Sequence, residues 1–294
     1  MDKRFVHLGN TIIEVRGMGI VTLIENQISD REDLYNEHGL SIYIEVDGKN
    51  VLFDTGQSGN FIDNAQKLNI DLKELDYVII SHGHYDHSGG FERLIKEVNP
   101  NIKLYIGEGF FDKKYNLNQD GDYEFMGNSF NEEFLKENNI EVEYINKDRV
   151  KITDNLSIFT NFIRNKEFEN TNQNMYLKKN DEYEKDKFLD EISIGVETSK
   201  GLSIVVGCAH VGIVNILDTI IQRTNKDICT LIGGTHLVKE DDEKINKIIE
   251  YIKDQDIETI AACHCTGKQG ETMFSQQLEE GFITNNTGDS IKIE

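Results

Sequence analysis

Apolar and polar positions alternate along this chain in two distinct rhythms. Residues 40–46 (Leu-Ser-Ile-Tyr-Ile-Glu-Val) follow the two-residue period of a half-buried strand. Asp47-Gly48 supplies a tight hairpin turn into a second apolar run, Val51-Leu52-Phe53. Residues 11–15 and 19–25 carry the same strand signature. Over 58–69 the period lengthens, and Phe61, Ala65 and Leu68 share one helical face. Tyr77-Val78-Ile79-Ile80 has the pattern of a short buried strand. A helix over 91–98 and a strand over 102–106 follow. The last third repeats this style. Paired strands are expected over 192–196 and 203–206, a helix over 212–223 and a strand over 229–232. Residues 239–253 form an amphipathic helix with Ile245, Ile248, Ile249 and Ile252 as its stripe, before a strand over 258–262. Strands alternating with helices predict a layered α/β fold.

Between these thirds, residues 111–189 change character. They are rich in Asn, Asp, Glu and Lys, with interspersed Tyr and Phe. A short strand is expected over 156–160, and 165–186 has the composition of a mobile, charged excursion. The stretch is expected to be an insertion covering a site within one domain spanning 1–294.

The 294 residues are enough to bury a sizeable core, and no apolar run approaches the length of a membrane span. The start lacks the pattern of a secretory signal, so a cytoplasmic location is the expectation. The formal net charge of −22 disfavours nonspecific binding to nucleic acid and membranes. The expected partner is a small-molecule substrate, with no nucleic acid and no membrane; a homo-oligomer stays open. Cys208, Cys229, Cys263 and Cys265 form no CxxC pair, which argues against a disulfide framework.

Chemistry concentrates where apolar strands end. Ser81-His82-Gly83-His84-Tyr85-Asp86-His87-Ser88-Gly89-Gly90 follows the run at 77–80. In extended chain His82 and His84 face the same way and reach one cation together. Asp86 and His87 follow where the chain turns and face a second. Imidazoles and one carboxylate at this spacing suit a two-metal hydrolytic site, whereas a structural zinc site is closed by four Cys or His in paired spacings.

Four other segments share the form. Asp54 ends a strand before Thr55-Gly56 and is placed to orient a metal-bound histidine or water; a plain turn-forming Asp is the alternative. Gly207-Cys208-Ala209-His210 offers a thiolate or an imidazole, with His210 the better ligand. His236, after Gly233-Gly234-Thr235, is a candidate hydrogen-bond donor to substrate. His264, between Cys263 and Cys265, is a ligand candidate with small neighbours. Ligands of layered α/β folds gather at carboxyl ends of strands, which is where all these residues fall.

The HxHxDH motif after an apolar strand, the upstream Phe53-Asp54-Thr55-Gly56 and the late strand-end histidine resemble the metallo-β-lactamase superfamily. Glu37-His38-Gly39-Leu40-Ser41, Asp190-Glu191, residues 207–217, Gly233-Gly234-Thr235-His236-Leu237 and His264-Cys265-Thr266-Gly267 sharpen this. In that order they are similar to the branch of 7,8-dihydropterin-6-yl-methyl-4-(β-D-ribofuranosyl)aminobenzene 5′-phosphate synthase-like proteins. The resemblance covers nearly the whole chain. It implies an αββα sandwich, two facing mixed sheets with helices outside and a dinuclear metal site at one edge. His82, His84 and one later histidine would hold the first metal, and Asp86, His87 and His264 the second. Cys208 stands where many members have a bridging Asp, so Cys208 or His210 completes the shell. Asp190 or Glu191 stands near the place of the usual separate histidine. His38, Arg164, Phe168 and Glu169 are the expected substrate-pocket residues.

The implied cofactors are two divalent metal ions, zinc first, with manganese or iron open. The implied activity is hydrolysis by metal-activated water, Asp86 holding the nucleophile and His236 offering a further donor. A synthase-type transfer is the alternative, one that joins a pterin to a phosphorylated ribosyl-aminobenzene. A diiron redox protein is disfavoured by an imidazole rather than an acid at His84. A noncatalytic binding protein is disfavoured by the complete ligand set.

Overall fold

The structure, a computed structural model, describes residues 5–8, 11–14, 19–28, 30–169 and 174–293. Of the strand expected over 11–15, Val15 lies outside the described residues. β1 (Phe5–Leu8) and β2 (Thr11–Glu14) pair as an antiparallel ribbon.

The first principal sheet contains β3 (Gly19–Ile24), β4 (Ser41–Val46), β5 (Lys49–Phe53), β6 (Tyr77–Ile79), β7 (Lys103–Gly107), β10 (Glu141–Ile145) and β19 (Ser290–Lys292), in the order β10-β7-β6-β5-β4-β3-β19. Strands β5, β6, β7 and β10 run parallel, and β3, β4, β5 and β19 pair antiparallel. The second contains β11 (Arg149–Lys151), β12 (Leu156–Phe159), β15 (Ser193–Thr198), β16 (Gly201–Val206), β17 (Ile228–Gly234) and β18 (Thr259–Cys263) in sequence order. Its β16, β17 and β18 are parallel. Each sheet is thus parallel toward one side and antiparallel toward the other.

Alternation along the strands builds the layers. Ile42, Ile44 and Val46 of β4 point inward and meet Ile194, Val196, Val205 and Ile232 of the other sheet. The opposite face of the first sheet, with Tyr43 and Leu52, packs under α1 (Asn60–Lys67) and α3 (Phe91–Arg93). The opposite face of the second, with Leu202, Ile204 and Leu231, packs under α5 (Ile213–Thr224), α6 (Asp242–Asp254) and α7 (Gly267–Leu278). The result is the expected αββα sandwich. Helix α6 begins later than expected because Asp241 caps it, accepting from the Lys244 N–H. The helix expected over 91–98 widens after Arg93, and residues 94–98 form a π turn ended by Asn99 in the left-handed region. The remaining short helices are α2 (Tyr85–Ser88) and α4 (Glu132–Glu137).

The middle stretch corrects one expectation. Residues 165–186 are not a mobile excursion throughout: β13 (Met175–Lys179) and β14 (Glu182–Lys185) form a hairpin. It pairs with β8 (Lys113–Leu117), itself paired with β9 (Tyr123–Phe125), in a four-stranded sheet. Tyr123 and Tyr183 stack at 3.6 Å and Tyr176 meets Tyr123 edge-on, so tyrosines order a sequence whose charge alone predicted none. Residues 170–173 lie outside the described residues. β10, β11 and β12 of the same stretch belong to the two principal sheets. Among the described residues no helix is long and apolar enough to cross a membrane.

Candidate metal centre

The parallel strands of both sheets end at one edge. β5 leads to Asp54, β6 to His82–His87, β16 to Cys208 and His210, β17 to His236 and β18 to His264. Asp54, Ala209, His236 and His264 all have left-handed backbone (φ +62°, +56°, +51° and +54°). A side-chain-bearing residue rarely takes this conformation, and its recurrence at four strand ends marks stored strain around one point. Gly207 permits the close approach of the halves there: a Cβ on it would fall 2.1 Å from Ser81 Oγ.

Three neutral imidazoles form one corner. His82 Nε2 lies 3.0 Å from His84 Nδ1 and 3.2 Å from His210 Nε2. Ser81 Oγ donates to Asp54 Oδ2 at 2.8 Å, so it accepts from His82 Nδ1 at 2.9 Å and leaves the His82 Nε2 lone pair bare. That single lone pair can accept from only one of the two neighbouring nitrogens. Tetrahedral metal–nitrogen bonds of ~2.0–2.1 Å put neighbouring nitrogens roughly 3.3 Å apart, close to these separations. Burial, with help from His87 and His84, pulls the His82 pKa well below 6.5. Burial and then Lys114 bring His84 to about 3, and burial and His236 lower His210. All three therefore stay unprotonated and available as ligands.

The second corner carries charge. The donor atoms of Asp86, His87, Cys208 and His264 lie within 4.8 Å of one another. Asp86 Oδ2 is 3.4 Å from His264 Nε2, 3.7 Å from His87 Nε2 and 3.3 Å from His38 Nε2. His87 donates from Nδ1 to Asp54 Oδ2 at 2.6 Å, and Asp54 Oδ1 accepts from the Ser81 N–H. His264 donates from Nδ1 to Asn26 Oδ1 at 2.9 Å. Each ring is thereby fixed with Nε2 turned inward. Burial opposes charge on His87, but Asp86 and Asp54 outweigh it and raise its pKa to about 9. Burial likewise opposes the Asp86 carboxylate, and His87 and His264 more than offset this and lower it. Cys208 stands between the corners, its sulfur 3.1 Å from His87 Nε2 and grouped also with His82 and His210. Burial and then Cys265 push its thiol pKa up.

The residues fit a pair of cations on their own evidence. Among the described residues Asp86 Oδ1 and His264 Nε2 are buried without a hydrogen-bond partner. An uncompensated buried polar atom is costly, and a cation between them would satisfy both.

The expected site residues thus divide. His82, His84, Asp86, His87, Cys208, His210 and His264 converge, and both Cys208 and His210 face the centre. His210 fills the position that the resemblance left to Asp190 or Glu191. Those two acids instead brace the loops. Asp190 accepts from the Gly83 N–H and from Lys114 Nζ at 2.9 Å, and Glu191 accepts from the His210 and Val211 N–H groups. Burial, only partly offset by those N–H groups, raises Glu191 to about 7. His38 is half exposed beside Asp86, and its ring is 5.2 Å from that of His264. His236 has its ring 4.4 Å from His210. Arg164 and Phe168 are spent elsewhere: Arg164 donates to the Lys187 carbonyl, and Phe168 packs with the α5–α7 apolar layer. Glu169 accepts from the Val214 N–H at the start of α5.

Sequence reasoning missed Asn26, Lys114, Phe188 and Cys265. Phe188 stacks on His210 at 4.2 Å, and the buried Lys114 Nζ lies 5.3 Å from the Phe188 ring centre while pairing with Asp186 and Asp190. Only Cys265, beside a strand-end histidine, carried a legible signal.

The model of the metallo-β-lactamase superfamily matches residues 34–212. This chain belongs to the metallo-β-lactamase superfamily. It is 30% identical, over 95% of its length and 98% of the relative's, to the 7,8-dihydropterin-6-methyl-4-(β-D-ribofuranosyl)-aminobenzene-5′-phosphate synthase of Methanocaldococcus jannaschii. It is also 30% identical to Tm1679, described as a metal-dependent hydrolase of the β-lactamase superfamily. That match has a TM-score of 0.81 and covers 94% of this chain and 99% of the other. Zn²⁺-bound PqqB of Methylobacterium extorquens, at 13% identity, TM-score 0.59 and coverage of 94% and 100%, shares the fold.

Proposed function

We propose that this protein is a two-metal hydrolase that directs water at an ester, phosphoester or lactone. The observation that carries the reading is the pair of donor sets, His82/His84/His210 and Asp86/His87/His264, joined through Cys208. Nitrogen and sulfur donors favour zinc over magnesium or calcium. Bound divalent ions would supply a water with pKa near ~7 and positive charge for a developing oxyanion.

The chain's own groups do the rest. Asp86 would hold the cation through Oδ1 beside His264, and the second lone pair of that oxygen would accept a hydrogen bond from the water. His38 Nε2 stands at the half-exposed side of Asp86, where it can donate to a substrate oxygen. Phe188 covers His84 and His210 and keeps bulk water from that corner.

The test is a zinc-loaded preparation assayed on phosphomonoesters, phosphodiesters, lactones and thioesters, beside a Asp86→Ala variant. Turnover of one class that the variant loses supports the reading. Equal turnover by a folded, metal-free His84→Ala protein contradicts it. A second reading, synthesis of a dihydropterin ribofuranosyl-aminobenzene phosphate, is favoured by the Methanocaldococcus relative's near full-length match. Formation of that product from pterin and ribosyl-aminobenzene phosphate precursors separates the two.

A further inference from the structure

We propose that Cys208, His236 and Cys265 form a third cation site, rich in thiolate and suited to zinc, which adjoins the proposed dinuclear centre through Cys208. The donor atoms of these three residues lie within 4.8 Å of one another. Zinc bonds of ~2.3 Å to sulfur and ~2.0–2.1 Å to nitrogen place tetrahedral donors roughly 3.5–3.8 Å apart, so a small closure suffices. The fourth position would fall to water or to an anionic group of a ligand.

Three independent observations aim at this point. His236 Nδ1 is buried and has no hydrogen-bond partner, although its ring sits beside His210. The His236 backbone is held in the left-handed region, tied down by its own N–H to Cys265 Sγ at 3.3 Å and by Leu237 N–H to the Cys265 carbonyl. Gly234 opens the space that the Cys265 sulfur occupies: a Cβ there would lie 2.5 Å from Sγ and 2.5 Å from the Gly207 carbonyl oxygen. The glycine, the strained histidine and the cysteine all come from β17 and β18 ends and converge on one pocket.

The other two cysteines show what a structural thiol looks like here. Cys229 is surrounded by the hydroxyls of Thr198, Ser203 and Thr230, and Cys263 packs between the sheets and accepts from Asn285. Among the described residues neither is grouped with a histidine. Cys208 and Cys265 are, and soft sulfur pairs with borderline-soft zinc.

Metal counting tests this on the full chain. The protein is saturated with zinc, desalted and analysed by mass spectrometry for ions per chain, and a cobalt-loaded sample is scanned for sulfur-to-cobalt absorption. Wild type should hold three ions, and Cys265→Ser and His236→Gln two each. The cobalt band should fall by about half in both variants, since each loses the ion that Cys265 would bind and keeps only the Cys208 thiolate on the dinuclear pair. Two ions in wild type and in both variants overturns the third site and leaves the dinuclear reading intact. Fewer than two in wild type sinks the dinuclear reading, while a loss of one ion in Cys265→Ser would still support this one. Should Cys265→Ser fail to fold, His236→Gln decides the count.

Discussion

The two corners of the centre are built from nearly the same residue type and behave as opposites. At His82, His84 and His210 burial drives the imidazoles to their neutral forms. At Asp86 and His87 the same burial is overcome by mutual attraction, and both groups keep their charge. Where the carboxylates lie makes the difference. Asp54 and Asp86 both reach His87, whereas Asp54 reaches the imidazole corner only through the Ser81 hydroxyl, and Lys114 adds positive charge beside His84. One corner offers lone pairs; the other pairs a carboxylate with an imidazolium, and a cation binding there would release the His87 proton.

Removing the charge gives the largest expected effect. Asp86→Ala should cut turnover by about 10²–10⁴-fold, since it deletes the group that positions the water as well as an anionic donor. A loss of less than tenfold in steady-state kinetics would erase the distinction between the corners. Next comes the support of the neutral corner. Lys114→Met leaves Asp186 and Asp190 buried and unpaired, and should destabilise the fold by about 3–5 kcal/mol in chemical denaturation. A change within 0.5 kcal/mol, roughly that of an ordinary surface substitution, would show that the triad is idle.

Glu25 ties the charged corner to β3, accepting from the N–H groups of His264 and Gln27. Burial raises its pKa to about 7 from 4.5, with those N–H groups opposing. A raised carboxyl favours the folded state while protonated. Its contribution is complete below pH 4.5 and is lost as pH rises through 7. Glu25→Gln in metal-free protein should therefore flatten stability between pH 4.5 and 7, an effect on the order of 3 kcal/mol at the upper end. An unchanged slope in denaturation series across that window would contradict it. The smallest effect is expected at Asp54. Asp54→Asn keeps an acceptor for His87 but removes the charge behind it, and should weaken cation binding about 10–100-fold in a chelator competition, with the imidazole corner less affected. Equal loss at both corners would break the comparison.

The parts of this centre that were legible beforehand were those a local pattern fixes. An apolar run followed by HxHxDH states both the strand and the ligands that its end must present. Asp54, His210 and His264 were legible for the same reason, each following a strand. Asn26 and Lys114 were not. Asn26 reaches His264 across 238 positions of sequence, and Lys114 lies on a strand that pairs with the hairpin at 175–185 and with β9. Charge density misled at that hairpin, because composition does not show that Tyr123, Tyr176 and Tyr183 meet. Arg164 and Phe168 misled for the converse reason: their types suit a pocket, but packing against α5–α7 and the Lys187 carbonyl claims them.

The central claim is tested most directly by diffraction from crystals of the zinc-loaded protein, recorded on both sides of the zinc absorption edge. The account predicts two anomalous peaks flanking Cys208, one among His82, His84 and His210 and one among Asp86, His87 and His264, in addition to the third peak expected beside Cys265 and His236. Fully loaded crystals with no peak at either position would contradict it.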